Sequence, residues 1–282
     1  MEQSFFQREK PESSIRPMEH ATTSSPHRYL QLRREASGAV WLTIDRAAKH
    51  NALARPVLAE LRATVVELGA RPEVRYLVLT GAGERYFAAG GDLRDLAGVR
   101  DEPAVQAMMD EAGSALDALR HCPVPVIAYL NGDAIGGGAE LALACDLRLQ
   151  ASHARLGYVQ ARLAITSAWG GGPDLFRTVG PARALRMLGR AELVGADEAL
   201  ACGLADAVIR DGVHGADLQA FLRPLDDCAP QVLRGFKAQA IAARQGLPWA
   251  AQRQVEREHL VRTWLHDDHW SAADKLLSKG PR

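Results

Sequence analysis

Three consecutive glycines followed by an acidic residue form the part of this chain best suited to chemistry. Gly136, Gly137 and Gly138 lead into a stretch of small residues that is predicted to be helical, and Glu140 falls in its first turn. A glycine loop that enters a helix presents unpaired backbone N–H groups at the positive end of the helix dipole. Such groups can bind a negative oxygen that forms only during a reaction, and a nearby carboxylate can move a proton beside it. The pattern predicts chemistry next to a polarised carbonyl group.

Strands and helices alternate along the part of the chain that surrounds this motif. Apolar periodicity predicts strands over residues 29–34, 39–45, 76–80, 124–130 and 147–151, and helices over residues 55–69 and 105–119. The first two strands form a hairpin that turns at Ser37 and Gly38. Such alternation implies parallel strand pairing. Beyond Pro230 the chain is predicted to be almost entirely helical, with breaks near residues 246–248 and 266–268.

Composition limits the classes of partner and environment. The chain has 282 residues, of which 47% are hydrophobic, and its 34 basic residues balance 34 acidic ones. This balance disfavours nucleic acid or an anionic membrane as the main partner, and no apolar run reaches the length of a membrane span. The four cysteines lack metal-ligand spacing and are predicted to be reduced, which favours a cytoplasmic protein. The HDDH run at residues 266–269 has no supporting ligands, so no metal site is predicted.

The first 28 residues differ in composition from the rest. They are rich in Ser, Pro, Arg, Glu and His and lack apolar periodicity. The apolar stretch of a secretory signal is absent, and the glutamates are atypical of a mitochondrial targeting peptide. Residues 1–28 are therefore predicted to be a disordered extension.

Six motifs occur in the chain in a characteristic order. They read IDRAAKHNAL, FAAGGDL, PVIAYLNGDAIGGGAELALACD, ARLGYVQARLAI, WGGG…LFRTVG and ELVGADEALACGLADAVI. Together they resemble the crotonase superfamily, the enoyl-CoA hydratase/isomerase family, from Tyr29 to the C-terminus. The resemblance implies an α/β fold with a spiral of ββα units over residues 29–229 and a helical trimerisation region over residues 230–282. It also implies a homotrimer or dimer of trimers, an acyl-CoA thioester substrate, and no cofactor beyond the CoA of that substrate.

The resemblance assigns roles to four residues. In the family a thioester enolate forms, and two backbone N–H groups bind its oxygen; here they belong to Gly91 in FAAGGDL and Gly137 in IGGGAE, whose alternative is an ordinary turn. Glu140 matches the first of two catalytic glutamates in the hydratases, and its alternative role is a carboxylate that favours the helix dipole. The second glutamate is replaced by Gln160, and a carboxamide cannot abstract a proton near neutral pH.

Further residues are expected around the substrate. Trp169 in SAWGGG departs from the hydratases, resembles ethylmalonyl-CoA decarboxylase-like members, and is predicted to wall the acyl pocket or, alternatively, to lie in the core or a trimer contact. The candidates for binding CoA are Lys49, His50, Asn51, Ala89, Asp92, Leu93, Lys237 and Lys279. For Lys49 and His50 the alternative is a solvated loop, and for Asp92 it is a structural role. The family's usual ending, F-x-x-K-R-x-P, is reduced here to LLSKGPR.

The missing second glutamate restricts the reaction. Syn hydration in this family uses two carboxylates that hold one water, so ordinary enoyl-CoA hydration is disfavoured. The sequence favours an enzyme of the hydratase/isomerase family that acts on an acyl-CoA through an oxyanion-stabilised enolate with one acid/base glutamate. Double-bond isomerisation is one such reaction. The alternatives are decarboxylation of a malonyl-type acyl-CoA and a non-catalytic acyl-CoA-binding member of the family.

Removal of the N-terminal segment tests the prediction for residues 1–28. A chain that starts at Met18 should keep the melting temperature of the full chain, because a segment without apolar periodicity cannot offset its ordering entropy. Differential scanning fluorimetry of the two chains measures this. A fall of many degrees on truncation would show instead that the segment packs on the core.

Overall fold

Two sheets organise the chain in the computed structural model, which describes residues 27–278. The larger sheet contains, in spatial order, β1 (Leu30–Arg34), β2 (Ala39–Ile44), β3 (Tyr76–Gly81), β5 (Val126–Leu130), β7 (Leu147–Ala151) and β10 (Ala207–Ile209). The smaller sheet contains β4 (Tyr86–Ala88), β6 (Asp133–Ile135), β8 (Arg155–Gly157) and β9 (Val194–Gly195). Strands β1 and β2 are antiparallel, as are β8 and β9, and the other neighbours are parallel.

The helices connect these strands in repeated units. They are α1 (Arg55–Gly69), α2 (Glu102–Arg120), α3 (Gly137–Ala144), α4 (Gly171–Val179), α5 (Pro181–Arg190), α6 (Ala196–Ala201), α7 (Ala216–Asp226), α8 (Pro230–Arg244), α9 (Trp249–Trp264) and α10 (Asp267–Leu277). Successive units contribute one strand to each sheet and then a helix, as in β3-β4-α2, β5-β6-α3 and β7-β8-α4. The predicted α/β fold with repeated ββα units is confirmed.

Apolar side chains explain the elements that were predicted most accurately. Helix α1 covers the predicted residues, and it buries an apolar stripe with helical spacing, comprising Val57, Leu61, Val65 and Leu68. Strand β3 is buried along its whole length, as expected for a central strand of a parallel sheet with both faces covered. These two patterns are strong because burial accounts for all of β3 and for most of the apolar positions of α1, with the exposed Val66 as an exception.

The structure differs from the prediction at the start of α2 and in the short strands of the smaller sheet. Helix α2 begins at Glu102 rather than at residue 105, because the Asp101 carboxylate accepts a hydrogen bond from the Ala104 N–H (2.9 Å) and caps the helix. The strands of the smaller sheet are two or three residues long, too short for an alternation pattern to reveal them. The predicted N-terminal extension lies outside the described residues apart from His27 and Arg28.

The C-terminal helices have the predicted breaks, since α8 ends at Arg244 and α9 at Trp264. Helix α8 is bound to the core: Arg234 donates hydrogen bonds to the carbonyl groups of Gly69, Arg71 and Val74. Helices α9 and α10 bury no residue within the described chain, and they expose large apolar side chains that include Leu260, Trp264 and Leu276. Among residues 27–278, no helix has the length and apolar character needed to cross a membrane. The boundaries at residues 229 and 230 stay a prediction.

Deletion of residues 230–282 should give insoluble protein. The deletion removes the hydrogen bonds from Arg234 and uncovers the apolar surface that Leu233 buries. The measurement is the soluble fraction and its elution volume in size-exclusion chromatography. A matched deletion from Asp267 onward, which removes only α10 and the residues after it, should keep the circular dichroism spectrum of a folded core. A soluble, folded monomer after the longer deletion would contradict the role given to α8.

Candidate active site

The loops that carry Gly91 and Gly137 lie side by side. Strands β4 and β6 are parallel neighbours, and each loop follows the carboxyl end of one of them. The approach is so close that a Cβ atom on Gly138 would overlap the carbonyl oxygen of Ala88. Glycine is therefore required where the second loop enters α3. The two glycine runs that the sequence separates by more than 40 residues thus form one site.

The N–H groups of Gly91 and Gly137 are unpaired. A backbone bridge fixes the first loop, because the Leu53 N–H donates to the Gly90 carbonyl (2.8 Å) and the Asp92 N–H donates to the Leu53 carbonyl (3.2 Å). These bonds pass on either side of Gly91 and leave its own N–H free. Neither that group nor the Gly137 N–H donates to any acceptor within residues 27–278. The pair has the composition expected of an oxyanion hole.

Glu140 lies beside this pair in the first turn of α3, and it is 2% exposed. Both of its carboxylate oxygens accept hydrogen bonds. Oε2 accepts from the backbone N–H groups of Trp169 (2.9 Å) and Gly171 (3.1 Å). Oε1 accepts from the side-chain Nε2 of Gln160 (2.9 Å). An oxygen of a carboxylate can accept about two hydrogen bonds, so Oε1 retains a position at which a proton can be exchanged.

Burial raises the pKa of the Glu140 carboxyl above its usual range. The three hydrogen bonds and the nearby positive charge of Arg120 act in the opposite direction and limit the rise. A carboxyl group with a raised pKa can both release and take up a proton closer to neutral pH than an exposed one. The environment of Glu140 therefore suits a general acid/base.

The glycine run after Trp169 allows α4 to approach Glu140. A Cβ atom on Gly171 would overlap the Cγ of Glu140, so no other residue type leaves room for the hydrogen bond to Oε2. The carbonyl of Gly171 in turn accepts a hydrogen bond from the buried hydroxyl of Tyr158 (2.8 Å). This tyrosine was not identified from the sequence. It holds the start of α4 at the distance that the carboxylate needs.

Gln160 lies where the sequence comparison with the family expects a second glutamate. It begins a short 3-10 turn, Gln160–Leu163, and its amide nitrogen is bound to Glu140. Its amide oxygen is buried and has no hydrogen-bond partner among residues 27–278. The site therefore holds one carboxylate and one neutral carboxamide, and the carboxamide has an acceptor that remains free.

Trp169 contributes an aromatic wall to the same site. Its indole ring contacts Gly137 so closely that a Cβ there would overlap the ring, and it lies within 3.4 Å of the corresponding position on Gly91. The residue is 8% exposed. The ring thus packs against the backbone of both Gly137 and Gly91, and it makes that side of the site apolar.

Arg120 is a residue near the site that sequence reasoning missed. It is buried at the end of α2, where it extends the buried face that Ala112 and Leu116 begin. Its Nη2 donates to the carbonyl of Trp169 (3.2 Å), and its Nε donates to Oδ2 of Asp174 (2.9 Å). The signal available in the sequence was an arginine in register with an apolar stripe.

The loop of Lys49, His50 and Asn51, which was expected to contact CoA, contains two exposed residues and a buried one. Lys49 is exposed, and the exposed His50 packs its ring against Tyr86, with ring centroids 4.7 Å apart. Asn51 is 1% exposed, and its Nδ2 donates to the carbonyls of Ala82 (3.0 Å) and Tyr86 (2.7 Å). The Asn51 side chain is therefore occupied in holding the loop and is not accessible to CoA.

The residues around the first glycine loop also divide into structural and exposed ones. The Ala89 N–H donates to the carbonyl of His50 (3.1 Å), which joins the two loops. Asp92 accepts a hydrogen bond from Nη2 of Arg46 (3.0 Å), in agreement with the structural alternative for this residue. Leu93 is exposed next to it. Of these, Leu93 is the side chain that a ligand can reach.

Lys237 was predicted to contact a CoA phosphate, and this prediction is wrong. Its side chain is 1% exposed and forms an ion pair with Asp146, with 2.6 Å between Nζ and Oδ2. Nζ also donates to the carbonyl of Leu119 (3.4 Å). A buried and paired ammonium group is not accessible to a phosphate. Lys279 lies outside the described residues.

The sequence matches a family profile described as enoyl-CoA hydratase/isomerase over residues 34–280. The chain belongs to this family. The crystal structure of an enoyl-CoA hydratase from Bacillus anthracis has a TM-score of 0.81 and 28% sequence identity, and the match covers 89% of this chain and 97% of that one. The crotonase assignment made from the six motifs is confirmed.

Two curated relatives carry different activities in their names. The chain is 36% identical over 171 residues to a crotonyl-CoA hydratase of Syntrophomonas wolfei. This match covers 60% of this chain and 65% of that protein. The chain is also 29% identical over 238 residues to an ethylmalonyl-CoA decarboxylase of Gallus gallus, and this second match covers 83% of this chain and 79% of that protein. The first match spans slightly less than two thirds of the hydratase. Both activities occur among relatives of similar likeness.

Replacement of Glu140 by glutamine should stabilise the protein at neutral pH. The pKa of the folded carboxyl lies above that of the unfolded chain, so ionisation of Glu140 costs stability as the pH rises between these two values. Glu140→Gln removes this cost and keeps acceptors for both backbone N–H groups. The melting temperature at pH 7.5 should rise, by about 2–4 °C for each kcal/mol gained, and the difference should shrink as the pH falls below the ordinary carboxyl pKa. A variant that melts well below the wild type at pH 7.5 would contradict the pKa direction.

Proposed function

We propose that this protein forms the enolate of an acyl-CoA thioester and that Glu140 is its single acid/base group. The thioester oxygen is bound by the N–H groups of Gly91 and Gly137. The observation that carries the proposal is the contact between Nε2 of Gln160 and Oε1 of Glu140 (2.9 Å), next to two unpaired N–H donors. One ionisable group therefore lies in the same helical turn as one of the two proposed oxyanion donors, that of Gly137.

The chemical step is a proton transfer at the carbon next to the thioester carbonyl. The carboxylate removes the proton through Oε1, and the electron pair moves to the carbonyl oxygen. As that oxygen becomes negative, the two N–H groups bind it more strongly, and each donor contributes about 3 kcal/mol by the scale of other oxyanion holes. Return of the proton to a different carbon moves the double bond. The proposed reaction in this form is double-bond isomerisation.

Syn hydration fits the site less well. It needs one group to deprotonate the water and another to protonate the carbon, and in the family two carboxylates share these tasks. Gln160 can hold a water through its free amide oxygen, but it cannot accept the proton. The likeness to named hydratases supports the substrate class, an acyl-CoA, without supporting efficient hydration.

Decarboxylation of a malonyl-type acyl-CoA is the second candidate. The indole of Trp169 against Gly137 and Gly91 favours it, because an apolar wall destabilises a substrate carboxylate relative to neutral carbon dioxide. The bond from the α-carbon to the carboxylate breaks, its electron pair forms the enolate, and Glu140 in its protonated form then protonates the carbon. The likeness to an ethylmalonyl-CoA decarboxylase agrees with this candidate. A non-catalytic role is disfavoured by the intact glycine pair and the buried acid.

The oligomer proposed for this protein is a trimer or a dimer of trimers. Helices α9 and α10 support it, since they bury nothing within the described chain and expose Leu260, Trp264 and Leu276. Apolar side chains that recur along adjacent helices favour association with further copies of the chain. Lys49 and His50 remain candidates for binding CoA phosphates at the exposed early loop.

Three thioesters distinguish the candidate reactions. Wild-type protein is incubated with crotonyl-CoA, a 3-enoyl-CoA and methylmalonyl-CoA, and products are followed by mass spectrometry. Crotonyl-CoA should be hydrated poorly, and turnover should appear with one of the other two. Glu140→Gln should lower that turnover at least ~100-fold, the usual scale for a general acid/base.

Restoring the second carboxylate gives the complementary result. Gln160→Glu should raise hydration of crotonyl-CoA, because two carboxylates can then hold and activate one water. The matched control is Gln106→Glu, an exposed position on α2, which should change no rate. Robust hydration by the wild type that Glu140→Gln leaves unchanged would contradict the proposal and indicate a different acid.

A further inference from the structure

Arg120 connects the end of α2 to the loop that binds Glu140. The guanidinium is buried, with 8% of the residue exposed, and each of its nitrogens has a partner. Nε donates to Oδ2 of Asp174 (2.9 Å), Nη1 donates to Oδ1 of Asp117 (2.8 Å), and Nη2 donates to the carbonyl of Trp169 (3.2 Å). Two carboxylates hold the guanidinium in place, and its third contact is to the backbone of the site.

That backbone contact lies between the two donors to Glu140. The N–H groups of Trp169 and Gly171 bind Oε2 of Glu140, and the carbonyl held by Arg120 belongs to the peptide that joins Trp169 to Gly170. The guanidinium also fits closely around this peptide, since a Cβ on Gly170 would lie 2.8 Å from Nη2. Fixing the middle peptide fixes the direction of the N–H groups on either side of it.

The same loop sets the position of the aromatic wall. The indole of Trp169 packs against Gly137 and approaches the Gly91 position within 3.4 Å. A movement of the Trp169 backbone would therefore move both the support of the carboxylate and the wall beside the oxyanion glycines. Arg120, which holds this loop, therefore acts on both the Glu140 carboxylate and the indole beside the two glycines.

We propose that Arg120 is a positioning residue: by holding the Trp169 carbonyl, it sets the orientation of the Glu140 carboxylate and of the indole beside Gly91 and Gly137. The part of this inference that concerns rates rests on the proposed function; the part that concerns the loop does not. Its alternative is a purely structural ion pair between α2 and α4.

Lysine at this position separates the two roles. Arg120→Lys keeps the positive charge beside Asp174, but an ammonium group cannot bind two carboxylates and a carbonyl in the planar arrangement of a guanidinium. A second variant, Arg120→Met with Asp174→Asn, removes both members of the buried pair, and the remaining partner of Arg120, Asp117, has a side chain that is 57% exposed to water. The matched control is Arg148→Lys, because Arg148 is also a buried arginine that binds an aspartate, Asp206, and carbonyl groups.

The first readout follows the loop itself and needs no substrate. Hydrogen–deuterium exchange with mass spectrometry is measured on peptides that cover residues 165–172. Arg120→Lys should speed exchange of this segment by about tenfold or more, a loss of stability typical of one broken buried contact, while peptides from β3 and α1 keep their wild-type rates. Arg148→Lys should leave the segment unchanged.

The second readout follows the proton transfer. The probe is butyryl-CoA in deuterated water, and uptake of deuterium at the carbon next to the carbonyl is measured by mass spectrometry. Arg120→Lys should lower the maximal rate ~10–100-fold with little change in KM, the scale of a misplaced catalytic group. Arg120 lowers the pKa of Glu140, and Arg120→Lys keeps this positive charge, so the pH at which the rate rises should stay near that of the wild type while the maximal rate falls. The other titratable groups facing this region are Asp174 and Tyr158, and burial raises the pKa of Tyr158 well above its usual value.

The outcomes separate the two hypotheses. Faster exchange confined to residues 165–172 in Arg120→Lys, with the control unchanged, supports the positioning role. Wild-type protection of this segment in a folded Arg120→Lys protein overturns it, and so does loosening spread equally over the core. If Glu140→Gln takes up deuterium as fast as the wild type, or if the wild type takes up none, the proposed function fails, and the loop measurement still decides the role of Arg120.

Discussion

The carboxylate of Glu140 is where opposing physical effects in this structure meet. Burial in a helix of small residues disfavours its charge, and three N–H donors with a nearby guanidinium favour it. An unpartnered buried carboxylate would lose its proton only at high pH, and a fully compensated one would be too weak a base. The site lies between these limits because the repeated ββα units bring the loop after β8 and the start of α4 against α3. N–H groups of Gln160, Trp169 and Gly171 therefore take the place of water around this buried carboxylate.

The neutral partner of this acid determines which reactions the site favours. A second carboxylate in place of Gln160 would repel Glu140 at close range and raise the pKa of one of the two. A carboxamide imposes no such repulsion, and it donates one hydrogen bond while its oxygen remains free. The site then holds one carboxylate, that of Glu140, near two unpaired backbone N–H groups, those of Gly91 and Gly137. This combination favours reactions in which a single proton moves at the carbon beside the thioester.

Several features were predictable from the sequence because they depend on local or periodic patterns. Helix α1 and strand β3 follow from apolar spacing. The start of α3, with Glu140 in its first turn, follows from the glycine run that precedes a stretch of small residues. The proximity of Gln160 to Glu140 came from the resemblance to a family and from no pattern in the residues. Tyr158 was missed because its partner is the Gly171 carbonyl, and a backbone carbonyl leaves no mark on residue type. Arg120 lies in register with an apolar stripe, but nothing in the sequence links it to Asp174 or to the Trp169 carbonyl. The assignment of Lys237 to CoA was wrong for a related reason: a lysine on a helix is most often exposed, and only the fold reveals Asp146 beside it.

The central claim is that the site stabilises an enolate oxygen, and the most direct test is the pH at which a bound thioester ionises to its enolate. Acetoacetyl-CoA carries an acidic carbon next to its thioester, and its enolate has a distinct near-ultraviolet absorbance, so its ionisation can be followed on the protein as the pH is varied. If the N–H groups of Gly91 and Gly137 bind the enolate oxygen, the bound ligand should ionise at a lower pH than the free ligand, in the wild type and in Glu140→Gln alike, because the donors are backbone groups. Bound acetoacetyl-CoA that ionises at the same pH as the free compound, with binding established by calorimetry, would contradict the account.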